Sequence, residues 1–126
     1  MSPITVAFKV SVVGISFADT YPDNVYALER MLYDGWRWTE DEPLTAILVR
    51  EPDNEYDPNA IAVHVPALGE HAHLGHVPRN VAARLAPQLD AGEQWQAGIS
   101  EIRVHPDHPT NPGVTLVCVP AKVSAS

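Results

Sequence analysis

The residues of this chain that could do chemistry gather in two runs, Arg50-Glu-Pro-Asp-Asn-Glu-Tyr-Asp-Pro-Asn59 and the histidine-rich stretch from His71 to Arg79. Glu51, Asp53, Glu55 and Asp57 alternate along the first, a spacing that invites comparison with metal-dependent hydrolysis or a calcium loop. A calcium loop needs a glycine where this chain has Pro58 and a closing glutamate where His64 stands. Catalytic metal is therefore not expected, and the chain reads as a binding module rather than an enzyme. His71 and His73 would project to one face of a strand, where His64 and His76 could join them as zinc ligands if the two strands pair. No Cys-x-x-Cys and no third clustered ligand accompanies them. Solvated strand histidines, with no metal or cofactor, are the expected reading.

These runs have to be positioned by the segments around them. Val6, Phe8, Val10 and Val12 alternate with smaller or polar residues, as in a strand with one buried face. Around Gly14 the parity passes to Val13, Ile15 and Phe17, the sign of a bulge or sharp bend. Residues 22–35 predict a helix with Val25, Leu28, Met31 and Leu32 on one stripe, begun by Pro22 with Asp23 or Asn24 and ended by Gly35. A second strand over 44–50 leads into the acidic loop, where Pro52-Asp-Asn54 and Asp57-Pro-Asn59 each combine a fixed proline φ with side chains that bond their own backbone and predict a rigid loop over 51–59. Strands are expected at 60–65 and about 71–77. Asn80 is placed to cap a helix bearing Val81, Leu85 and Leu89, with Pro87 expected to kink or restart it. A fifth strand from Trp95 switches face at Glu101, and 114–119 forms the sixth. Strands and helices do not alternate, so the expected fold is mainly β: a small six-stranded barrel with two helices.

The composition, 45% hydrophobic and 19% charged over 126 residues, suits one globular domain spanning 1–126. Cys118 lies in an apolar run and is expected as a small buried hydrophobe in a reducing, cytoplasmic compartment. Met-Ser-Pro-Ile at the start does not resemble a leader, and no window approaches the length of a membrane span. Sixteen acidic against eight basic residues leave a net charge of −8, which opposes a long footprint on a polyanion. Any nucleic-acid site must be compact and rest on stacking or end recognition.

Taken together, Leu48-Val-Arg-Glu-Pro-Asp-Asn-Glu-Tyr-Asp-Pro-Asn-Ala-Ile-Ala-Val63, Leu74-Gly-His-Val-Pro-Arg79 and Val12-Val-Gly-Ile-Ser-Phe17 resemble the HIRAN signature over residues 5–105. The resemblance is to a HIRAN domain standing alone, of bacterial or phage type. It implies an OB-like β-barrel that holds the 3′ end of single-stranded DNA, in DNA repair or replication. Carried onto this chain, Tyr56 stacks on a base, Asp57 accepts the terminal 3′-hydroxyl and Asn54 supports them. Arg79, with His76 beside it, is the basic residue after the Gly-His pair. Ser16 and Phe17 take the place of a basic-aromatic pair; Ser16 can bond a phosphate without charge, and Phe17 can stack without a hydroxyl.

Physical reasoning supports this assignment. Two rings such as Tyr56 and Phe17 can sandwich terminal bases of any identity, and an ionised Asp57 accepts from a hydroxyl but repels a phosphate. Arg79, aided by Arg50 or Lys9, would grip the preceding phosphate. In the plainer alternative, Asp57 and Asn59 cap a turn, Tyr56 plugs a barrel end and Arg50 pairs with Glu51 on the surface. A competing function is a protein-interaction module that docks a helicase, a nuclease or a second copy through Trp36, Trp38, Trp95 and the helix at 22–35.

Overall fold

The structure is a computed structural model that describes residues 4–14, 24–27, 30, 44–69, 73–103 and 113–120. Its strands are β1 (Phe8–Ser11), β2 (Leu44–Arg50), β3 (Ile61–His64), β4 (His73–His76), β5 (Trp95–Arg103) and β6 (Gly113–Pro120). Residues 24–27 belong to a first helix, α1, and Arg79–Asp90 form α2; a 3-10 turn at Pro66–Leu68 follows β3. All strand pairs are antiparallel, in the order β1-β6-β5-β2-β3-β4.

The sheet curls because β2 serves two neighbours in turn. Its first half, Leu44 to Ala46, pairs with β5, and its second half, Ile47 to Arg50, pairs with β3. One strand thus turns the corner of a barrel. The far ends meet where Val13 and His76 exchange two backbone hydrogen bonds of 2.8 Å. The result is the expected mainly β, OB-like half-barrel with two helices.

Its interior is filled by residues at alternate strand positions: Ile61, Val63, Leu74, Ile99, Val114, Leu116 and Cys118 are all at most 1% exposed. Burial pushes the Cys118 thiol up to about 11, so it behaves as an apolar side chain. On β5 the pairing slips between Ile99 and Glu101, which moves the buried positions to the other parity at the predicted place. Trp95 starts this strand half-buried, its ring 5.5 Å from Phe8. Helix α2 closes the barrel with Ala82, Leu85 and Ala86, and α1 contributes Val25. Gln88 acts as a peptide surrogate: its side-chain carbonyl accepts from Ile4 N–H and its amide donates to Ile4 C=O, both at 2.7 Å.

Three local expectations are corrected. Val6 is 69% exposed because the strand begins only at Phe8, so sheet parity does not govern it. Asn80 does not cap α2; the helix starts at Arg79, and the Pro78 carbonyl accepts from Val81 and Ala82 N–H at 3.0 and 2.8 Å. Pro87 does not restart the helix, which runs on unbroken to Asp90, with Leu85, Ala86 and Gln88 on both sides of it buried against the core. Among the described residues, no helix is long and apolar enough to cross a membrane. Phe17, Ser16, Trp36, Trp38 and His71 lie outside the described residues.

Candidate nucleic-acid interface

The loop that follows β2 is folded by its own side chains. Asn54 Oδ1 accepts from the N–H groups of Tyr56 and Asp57 at 2.9 and 3.0 Å, and Asp57 Oδ1 accepts from Asn59 N–H at 2.9 Å. Backbone bonds from Asn54 to Glu51 and from Ala60 to Asp57 complete two successive turns. As the sequence implied, side chains bond their own backbone here, and the acceptors are those of Asn54 and Asp57, because a short side-chain acceptor can satisfy N–H groups that a tight turn leaves without a backbone partner.

Held in this way, Asn54, Tyr56 and Asp57 form one side of a cleft of about 270 Å³. Val13, Gly14, Ala60 and Val77 supply its apolar lining, and His76 and Arg79 its other polar groups. Gly14, in the lining, has φ +73°, a left-handed conformation that favours glycine. Tyr56 is 73% exposed, so its ring is presented to solvent and not plugged into the barrel. Asp57 is mostly covered. Its Oδ2 lies 3.8 Å from Nε of the well-exposed Arg79, too far for a hydrogen bond, so the pair holds neither group tightly.

Of the residues singled out from sequence, Asn54, Tyr56, Asp57, His76 and Arg79 come together here, although loop and helix start are far apart in the chain. Arg50 is placed elsewhere. Its Nε and Nη2 donate to Asp90 at 2.9 and 3.1 Å and its Nη1 donates to the Ala60 carbonyl, clipping the end of α2 to the barrel. Lys9 is exposed on β1 and does not line the cleft. Sequence reasoning missed Val13 and Gly14 as lining, and it gave Glu51 no part near the histidines. Glu51 Oε1 is 2.6 Å from His76 Nε2 and accepts from Asn54 Nδ2 at 3.3 Å, so it braces both the loop and the back of the cleft. Only the Glu51 carboxyl, immediately after β2, could have signalled a partner, and that partner stands on β4, two strands away in the sheet.

The charges behind the cleft are coupled. Burial alone would raise the Glu51 carboxyl, but the hydrogen bond and charge of His76, with the bond from Asn54, outweigh it and leave the group below its ordinary 4.5. His73 is held below its ordinary 6.5, first by burial and then by its histidine neighbours, against the raising effect of the Gly75 carbonyl. Both folded values are depressed, so in each case the unfolded chain binds the proton more readily. The stability from His73 is complete above about 6.5 and is lost as pH falls from there through the lower folded value; the part from Glu51 is lost in the same way below 4.5. The melting temperature should therefore fall on acidification from pH 7.5 to 5, and a His73→Asn variant should show a shallower fall.

Comparison with known proteins agrees with this geometry. The model of the HIRAN domain family matches residues 6–116. A crystal structure of a protein from Lactobacillus plantarum is similar over 92% of this chain and 96% of that one, with a TM-score of 0.61 and 25% identity. The crystal structure of the HIRAN domain of human HLTF covers 93% of this chain and 78% of that one, with a TM-score of 0.56 and 18% identity, a likeness of fold. Among curated proteins, none matches. Since the matched residues run from β1 through the loop, the cleft and α2 into β6, the chain belongs to the HIRAN domain family, whose members are generally DNA-binding modules.

Proposed function

We propose that this domain captures the 3′ end of single-stranded DNA, preferring a free 3′-hydroxyl, in DNA repair or replication in the cytoplasm. The observation that carries the reading is the meeting in one cleft of an exposed aromatic ring, Tyr56, a covered carboxylate, Asp57, and a loosely held cation, Arg79. A terminal base stacks on Tyr56 without regard to its identity. The last hydroxyl donates to Asp57 Oδ2, and Arg79 turns from Asp57 to the preceding phosphate with forked donors. His76 and Asn54 hold the cleft wall; Ser16 and Phe17, which the family resemblance adds to the site, lie outside the described residues.

A fluorescence-polarisation titration of short strands ending in 3′-hydroxyl or 3′-phosphate tests the reading. Tighter binding of the hydroxyl end is expected; equal affinity would refute end capture. Few phosphates are neutralised, because Arg79 is the one Lys or Arg among the described residues that line the cleft, and the chain carries a net −8. The logarithmic salt slope should therefore be shallow, about −0.7 to −1.4, in keeping with one or two phosphate contacts on a single strand. A slope steeper than about −4 would contradict a compact site.

The competing role, docking a helicase, a nuclease or a second copy, gains no specific support. It draws on Trp36 and Trp38, outside the described residues, and on Trp95, which packs against Phe8.

A further inference from the structure

Behind the cleft, one donor atom from each of Glu51, His73 and His76 lies within 4.8 Å of the other two. We infer that these three side chains form a binding site for a zinc-class divalent cation, with a further position open to water or another ligand. On a regular strand His73 and His76 would face opposite sides, since side chains alternate. The register of β3 and β4 slips between Val63 and His64, so that His64 stands opposite His73 while Val63 stands opposite Gly75. Gly75 adopts φ +153° in this irregular stretch. The slip brings the two rings onto one side, their centroids 5.0 Å apart and nearly edge to face.

The donor set fits the metal class. Two imidazoles and a carboxylate suit zinc, cobalt and nickel better than magnesium or calcium, and three protein ligands are what an open zinc site uses. At ligand distances of about 2.0–2.1 Å, donors around a tetrahedral ion lie about 3.3 Å apart. Each donor here is already within side-chain rotation of that spacing. A proton holds Glu51 Oε1 and His76 Nε2 at 2.6 Å, and a cation bound to both takes that proton's place. His73 Nε2 donates to the Gly75 carbonyl at 2.8 Å, which orients the ring. Asn54 Nδ2 braces the carboxylate at 3.3 Å.

The test is a titration of the untagged chain with Co²⁺, read by its visible absorption, followed by displacement with Zn²⁺ and by calorimetry. One equivalent should bind. His73→Ala and His76→Ala should each lower affinity roughly tenfold or more, as expected when one of three ligands is lost. Glu51→Gln should weaken binding while keeping the contact to His76. Melting curves and circular dichroism establish that each variant is folded, and His73→Asn replaces any that is not. Absence of a stoichiometric Co²⁺ spectrum, or parental affinity in the His73 and His76 variants, would each overturn the site. No nucleic acid enters the measurement, so its failure leaves the DNA reading untouched.

Discussion

A Tyr56→Ala variant binds a short 3′-ended single strand about 5- to 150-fold more weakly than the parent, the equivalent of about 1–3 kcal/mol for one stacked base. Its melting temperature should hardly change. The ring is 73% exposed, and the turn beneath it is held by the Tyr56 backbone N–H donating to Asn54, a bond that alanine retains. Binding and melting measured on the same preparation separate the possibilities. A large fall in melting temperature with unaltered DNA affinity would make Tyr56 a structural residue and favour the protein-docking role.

The second large effect is on selectivity. In the parent, Asp57 offers an ionised acceptor to a 3′-hydroxyl, an interaction of about 1.5–3 kcal/mol, and its charge repels a terminal phosphate. Preference for the hydroxyl end should accordingly be on the order of 10- to 150-fold. Asp57→Asn removes the charge but keeps an Oδ1 that accepts from Asn59 N–H, the bond that shapes the loop. The variant should bind both ends with nearly equal affinity and stay folded. Asp57→Ala is the poorer probe, since it also deletes the turn bond and confounds loop order with recognition. If Asp57→Asn keeps the parental preference, the carboxylate does not meet the terminal hydroxyl.

Other features were readable only in part. The loop was legible as two turns whose side chains bond their own backbone, yet the pairing of Asn54 with the N–H groups of Tyr56 and Asp57, and of Asp57 with that of Asn59, was not, because the sequence does not say which acceptor meets which N–H. Arg50 illustrates a different limit. At a strand end beside an acidic loop it was an equally good candidate for a phosphate contact, and Asp90, whose carboxyl Arg50 holds below its usual range, belongs to a helix far along the chain.

What the sequence determined by itself was whatever depends on near neighbours. Alternation of apolar residues marked the strands, the change of parity on β5 marked its bulge, and the apolar run around Cys118 marked it as core. The HIRAN-like run of Asn54, Tyr56 and Asp57 likewise needed no tertiary information. Only the tertiary structure decided which distant groups share a space: Val13 against His76, Gly14 in the cleft, Arg50 on Asp90, and Glu51 beside His73 and His76. The reason is register. A one-residue slip between strands turns a side chain to the opposite face, and the slip at Val63 and His64 arises from pairing across the sheet, where local composition has no say.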